Sequence, residues 1–287
     1  MSTDAAKNFR LDVEPDGLAV LTFDCPGEKA NKYSTPVMAE LEGVLDGLAT
    51  RGDVKALLLV SGKPDIFIAG ADVNEIAKAS DPAAIANGVR RGQAIFGKLA
   101  NLPFPTVAAI EGACVGGGCE TVLAMDWRLA SDSKRTQIGL PEIKLGILPA
   151  WGGTTRLPRV VGLAAALDVI LAGKVVDSKR ARKMGLVDEL VPAPILLEAA
   201  RKFARGKFGT AKRANAAPDG GPLRVAPAKA MDRILEGVAR PVVFRKARAS
   251  VMKETHGNYP APLEALKAIE KGFGRPLAAA LELEVEG

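Results

Sequence analysis

Three short apolar runs constrain this fold more than any other feature. Leu18–Asp24 (LAVLTFD), Val54–Ser61 (VKALLLVS) and Thr106–Glu111 (TVAAIE) are rich in β-formers and bounded by Gly, Pro or Asp. A strand with one wet face alternates apolar and polar residues. These runs do not, so they read as strands buried on both faces, as in parallel sheets. Helical patterns lie between them at Pro36–Ala49 and Pro82–Leu99, and after them at Cys119–Met125. Such alternation predicts an α/β core with parallel pairing. Further on, Ser178–Met184 reads as a short helix with a Ser N-cap and Gly185 at its end. Asn215–Pro227 (NAAPDGGPLRVAP) reads as a linker or exposed loop, and Ala228–Lys253 and Pro262–Gly272 as helices. No internal repeat is evident.

Composition narrows the chemistry. The chain has 287 residues, 48% hydrophobic and 25% charged, which suits one large α/β domain or two modest ones. No run approaches the roughly 18 apolar residues of a membrane span, and MSTDAAKNFR carries no apolar signal segment. The single histidine, His256, leaves no His-rich zinc site, and a Ser–His–Asp triad would depend on it alone. Cys25, Cys114 and Cys119 form neither a disulfide framework nor a C-x-x-C pair, which predicts a reducing, cytoplasmic compartment. Chemistry must then come from carboxylates, backbone amides or a bound cofactor.

The formal charge of +6 is unevenly spread. Arg201 to Glu254 carries 14 basic and 4 acidic residues, so the rest of the chain is at about −4. This stretch is either a solvated basic helical region or a surface that attracts a small polyanion such as a nucleotide-bearing cofactor. Nucleic acid is not expected as a partner, because aromatics are only 5% and none interleave with the basic run.

Gly112–Met125 (GACVGGGCETVLAM) carries the strongest chemical signal. A strand ends, three glycines follow, and a helix begins. Each glycine costs a helix about 1 kcal/mol relative to alanine. Gly116, Gly117 and Gly118 therefore serve either tight helix–strand packing or the close approach of backbone N–H groups to a ligand. Neither the G-x-G-x-x-G fingerprint nor the G-K-[ST] of a phosphate loop is present. Glu120, whose only polar companion here is Thr121, must be paired or neutral. It is thus either a structural carboxyl or one tuned for acid–base work. In Ile66–Glu75 (IFIAGADVNE) a strand-like run ends at Gly70–Ala71, and Asp72 caps the next helix. In Thr136–Arg156, Glu142 follows Pro141 and starts a short helical turn.

Together these segments resemble the crotonase (enoyl-CoA hydratase/isomerase) superfamily. Ile68–Asp72 (IAGAD), Gly112–Glu120 (GACVGGGCE), Ile138–Gly162 (IGLPEIKLGILPAWGGTTRLPRVVG) and Asp177–Pro192 fall in that family's order and spacing, covering roughly residues 10 to 195. The resemblance implies a spiral of ββα units over 1–195, holding the active site, and a helical C-terminal region over 196–287. It implies an oxyanion hole from the amides of Ala71 and Gly117. It makes Glu120 the activator of water and Glu142 the proton donor to the α-carbon of a 2-enoyl thioester. It also assigns Lys29, Ile68, Ala69, Asp72, Gly116, Trp151, Gly152 and Lys271 to contact with coenzyme A and substrate, Lys29 and Lys271 being contacts to the CoA phosphates. Coenzyme A enters as part of the acyl thioester, with no metal and no permanently bound cofactor.

His256–Gly274 (HGNYPAPLEALKAIEKGFG) resembles the segment after the hydratase part of fused β-oxidation enzymes of the α-subunit type. The expectation is therefore an isolated hydratase module whose helical region leads toward a missing dehydrogenase half. Keeping both glutamates favours hydration, with Δ3–Δ2 isomerisation as an alternative or additional activity. Alternatives of another class are a non-catalytic acyl-CoA- or RNA-binding homologue and a structural subunit that docks through the basic tail. A homo-oligomer or a β-oxidation complex is the expected assembly.

Overall fold

The computed structural model describes residues 7–78, 80–213 and 234–287. The chain advances in units of two strands and a helix. Strands β1 (Phe9–Val13) and β2 (Leu18–Phe23) precede helix α1 (Thr35–Ala49); β3 (Ala56–Ser61) and β4 (Ile66–Ile68) precede α2 (Val73–Lys78) and α3 (Pro82–Ala100). Next come β5 (Thr106–Ile110), β6 (Ala113–Val115) and α4 (Gly117–Leu123), then β7 (Trp127–Ser131) and β8 (Gln137–Gly139) with α5 (Gly153–Val161) and α6 (Leu163–Leu171). β9 (Val175–Asp177), α7 (Ser178–Met184), β10 (Glu189–Val191) and α8 (Leu196–Arg205) close this part, and α9 (Arg240–Thr255), α10 (Ala261–Gly272) and α11 (Leu277–Glu286) follow.

In the three units from β3 to β8 the first strand enters a large sheet and the second a small one, whereas β1 and β2 both enter the large sheet. The large sheet has the order β1-β2-β3-β5-β7-β10 and the small one β4-β6-β8-β9. From β2 onward the large sheet is parallel, with β1 antiparallel at its edge. The apolar runs predicted as doubly buried strands are β2, β3 and β5. Ala19, Leu21 and Phe23 of β2 face one core, and Leu18 and Val20 face a second. That second layer is completed by Leu196, Ala200 and Ala204 of α8. Burial on both faces is why these strands do not alternate.

Several boundaries differ from expectation. Helix α4 starts at Gly117 rather than Cys119, taking in two of the three glycines. The N-cap of α7 is Asp177, whose side chain accepts from Arg180 N at 2.7 Å, not Ser178. The helix read across 228–253 is interrupted: residues 234–236 are helical, a turn follows, and α9 begins at Arg240 with Pro241 in its first turn. A proline disfavours helical backbone just before it, so a helix restarts there more easily than it continues. Residues 214–233, including the whole linker read at Asn215–Pro227, lie outside the described residues.

Asn31 ties the end of β2 to β3 and β4. It is fully buried; its Oδ1 accepts from Cys25 N at 2.9 Å, and its Nδ2 donates to Phe23 O, Ser61 Oγ and Phe67 O at 2.7, 3.0 and 3.2 Å. Removing it would leave buried backbone groups unpaired, each costing about 1–3 kcal/mol. We therefore expect Asn31→Ala to lower the unfolding free energy by about 2–4 kcal/mol in urea titrations. A loss below about 1 kcal/mol would show that water replaces the amide.

Candidate active site

The three glycines divide their duties. A Cβ on Gly118 would lie 2.4 Å from Ile68 O, so this residue permits α4 to pack on β4. Gly116 has φ +56, and a Cβ there would lie 3.2 Å from Glu142 Oε1. A Cβ on Gly117 would lie 3.0 Å from the Trp151 ring. The packing reading of the motif holds for Gly118, and Gly116 and Gly117 face the side chains of the candidate site.

Two backbone amides are presented nearby. Gly117 N opens the first turn of α4, where a helix supplies no acceptor of its own. Tyr33 N donates to Gly70 O, and Asp72 N donates to Tyr33 O, both at 2.8 Å. In this parallel bridge between Tyr33 and Ala71, the N–H of Ala71 points away from Tyr33. The turns abut, since a Cβ on Gly70 would lie 3.6 Å from Gly117 N.

Glu120 is 3% exposed. Its Oε1 accepts from Trp151 N at 2.7 Å and Gly153 N at 2.9 Å, while among the described residues no hydrogen bond engages Oε2. Burial, reinforced by the carboxylates of Glu142 and Glu284, pushes its pKa well above the usual range; the Gly153 and Trp151 amides pull it back. Glu142 opens the 3-10 turn Glu142–Leu145, as its place after Pro141 predicted. Its Oε2 is sealed from solvent and has no hydrogen-bond partner, and burial raises its pKa to about 7.

The other predicted contacts divide. Ile68 is buried at the end of β4, and Ala69 N donates to Asn31 O at 2.8 Å. Trp151 packs edge-on to Phe96 and Tyr33, with ring centroids 5.7 and 6.2 Å away. Gly152 N donates to Glu284 Oε2 at 2.8 Å. Asp72 caps α2 through Asn74 N and pairs with Lys32 at 3.0 Å, which holds its carboxyl below the usual range. Its side chain is thus committed to local structure. Lys29 and Lys271 are exposed and share no hydrogen bond or ion pair with the carboxylates. Sequence reading missed Glu284 and Gln93, both buried beside the Trp151 loop. Glu284 sits in LELEVE, where acids alternate in a strand-like period, and nothing local marks the middle one as the buried acid. Among the described residues, no cluster of three or more His, Cys, Asp or Glu could hold a metal, and no helix is long and apolar enough to cross a membrane.

A family model for enoyl-CoA hydratase/isomerase matches residues 14–217, most of the chain. The chain belongs to that family. It is 41% identical to the fatty acid oxidation complex subunit alpha of Shewanella amazonensis and 39% identical to that of Shewanella frigidimarina. In each case 97% of this chain is covered, but only 38% of the relative's length. The crystal structure of enoyl-CoA hydratase from Bacillus anthracis superposes with a TM-score of 0.67 at 25% identity, covering 94% of this chain and 98% of that one. The architecture is the crotonase spiral of ββα units that the motifs implied.

The raised Glu142 carboxyl has a consequence for stability. A carboxyl with a higher pKa in the fold binds its proton more tightly there than in the unfolded chain. Its contribution is therefore full below the unfolded pKa of about 4.3 and is lost as pH rises through about 7. Glutamine does not titrate. We expect the melting temperature of Glu142→Gln, relative to the parent, to rise between pH 5 and pH 8. A difference that stays constant across that range would contradict the assigned burial.

Proposed function

We propose that the chain hydrates trans-2-enoyl-CoA thioesters to 3-hydroxyacyl-CoA in fatty-acid β-oxidation. The observation that carries this reading is the pair of Glu120, buried with one oxygen held by two backbone amides, and half-buried Glu142, whose sealed Oε2 meets no donor among the described residues, beside the Ala71 and Gly117 turns. The two carboxyls titrate as a unit. Hydration requires the shared proton on Glu142 and the charge on Glu120, and the two backbone N–H bonds to Glu120 Oε1 favour that distribution against the burial that raises both carboxyls.

Hydration needs a base for water, an acid for the α-carbon and a sink for enolate charge. Glu120 takes a proton from water as the oxygen bonds to the β-carbon. Electrons shift toward the thioester oxygen, held by the Ala71 and Gly117 amides. Glu142 then delivers its proton to the α-carbon. The enzyme is left with the proton on Glu120 and the charge on Glu142, and exchange with water restores the starting state. Retention of both carboxyls favours this over isomerisation, which can use one.

Coenzyme A is held, in the same reading, by its thioester end at the two amides and by its phosphates at Lys29 and Lys271, whose exposure suits a rim contact. In the same reading the part over 1–195 carries the site, and 196–287 forms a separate C-terminal region. The names of the fatty acid oxidation relatives support a β-oxidation complex as the setting, and the free, buried cysteines suit the reducing, cytoplasmic compartment read from the sequence.

The test is hydration of crotonyl-CoA, followed by loss of the conjugated thioester absorbance. Glu120→Gln and Glu142→Gln should each lower kcat by at least about 100-fold, the scale of general acid–base catalysis. The double variant should lose far less than the product of the single losses. Near-parental turnover in either single variant would remove that residue from its role.

A further inference from the structure

We propose that Glu284, on the last helix, is a positioning residue that fixes the backbone loop holding Glu120. Glu284 is 2% exposed, and both its oxygens are occupied. Oε1 accepts from Thr154 Oγ1 at 2.7 Å and Thr155 N at 2.8 Å; Oε2 accepts from Gly152 N at 2.8 Å and Gln93 Nε2 at 3.2 Å. Gly152 lies between the two residues whose amides grip Glu120. Three consecutive N–H groups are therefore shared alternately: Trp151 to Glu120, Gly152 to Glu284, and Gly153 to Glu120. The first turn of α5, whose amides have no intrahelical acceptor, is held by carboxylates from α4 on one side and α11 on the other. Gln93 of α3 adds a third tie, donating also to Ala150 O at 2.8 Å and Leu281 O at 2.9 Å.

The charges facing this clamp are few. Arg156 is fully buried and donates through Nη1 to Trp151 O, with Nε and Nη2 unpaired. Arg156 and Arg159 of α5 act on Glu284 as positive neighbours, Glu120 of α4 as a negative one, and Glu142 acts on Glu120 from the 3-10 turn. Burial pushes the Glu284 carboxyl above its usual range, and the Thr154 and Thr155 donors with the neighbouring Arg156 pull it back toward the ionised form. Glu284 thus has two effects on Glu120. It prevents rotation of the loop that carries the two amides, and its charge makes Glu120 harder to ionise.

The inference rests on the hydratase reading for its kinetic consequence, but not for its structural one, and the experiment reads both. In Glu284→Gln the amide group brings N–H donors against Gly152 N or Thr155 N. Backbone exchange in the segment 150–155 should then quicken at least about tenfold, read by hydrogen–deuterium exchange against β5 as internal reference. For crotonyl-CoA, kcat should fall about tenfold with KM within about twofold. The pH limb reporting ionisation of Glu120 should move to lower pH, since a repelling charge has been removed. Gln93→Met, which keeps the shape and loses the tie, should show a smaller quickening of the same segment and a kcat loss of about threefold. It decides the matter alone, by the same segment and kcat criteria, if Glu284→Gln does not fold. Parental exchange at 150–155, or a kcat loss in Glu284→Gln with the pH limb unmoved and exchange raised throughout the chain, would overturn the proposal. If the parent chain fails to hydrate crotonyl-CoA, the hydratase reading falls, and the exchange result alone decides whether Glu284 holds the loop.

Discussion

Two backbone amides converging on Glu120 Oε1 set the terms for the rest of the molecule. A carboxyl at 3% exposure loses nearly all its hydration, and a burial penalty of that kind is offset only by donors fixed in place. Trp151 N and Gly153 N supply them, and both belong to the turn entering α5. That turn can approach because position 153 has no Cβ, which would stand 3.0 Å from Glu120 Oε1. It is held by Gln93 from α3 and Glu284 from α11, elements far apart in sequence. The placement of one oxygen thus links four helices.

Glu142 is the contrasting case. Its sealed Oε2 has no partner, and an unsatisfied buried polar atom costs about 1–3 kcal/mol. The two glycines inside α4 add about 1 kcal/mol each. These costs are offset elsewhere, because burying one Leu or Phe stabilises by about 1.5–3 kcal/mol and the doubly covered strands bury many. Local instability is thus concentrated at the candidate site, where a carboxyl short of donors keeps a raised pKa, and the two-sided core makes it tolerable.

What was legible in the sequence depended on range. The doubly buried strands showed as unbroken apolar runs, and Glu120 stood out because its neighbours were apolar. Glu142 was placed in its turn by Pro141. Its pairing with Glu120 came from the family motifs, not from any local pattern. The clamp was invisible, because Gln93 and Glu284 meet across 191 residues and carry no local signature. Asn31 was missed for the same reason: four contacts to three strand ends leave no trace in its own surroundings. The Asp177 cap was misread because Ser178 beside it is equally competent, and only the observed backbone decides between them. The ββα repeat was reached only through the family resemblance, because it is a repeat of topology, not of residues.

That topology explains why the site falls where it does. Ala71 comes after the end of β4 at Ile68, Gly117 after the end of β6 at Val115, and Glu142 after the end of β8 at Gly139. These strands are consecutive parallel neighbours in the small sheet, with Ile68 opposite Cys114 and Val115 opposite Gly139. Adjacent strands lie about 4.8 Å apart, so turns leaving their carboxyl ends emerge side by side over roughly 10 Å. Each turn of the spiral delivers one group of the candidate site to the same edge: an amide, then an amide with the Glu120 helix behind it, then a carboxyl. Groups separated by dozens of residues thus meet because each occupies the same position within its own ββα unit. In parallel α/β sheets generally, ligands bind outside the carboxyl ends of the strands. Here the small sheet needs strands of only three residues to produce that edge, since its task is to set the spacing of the turns.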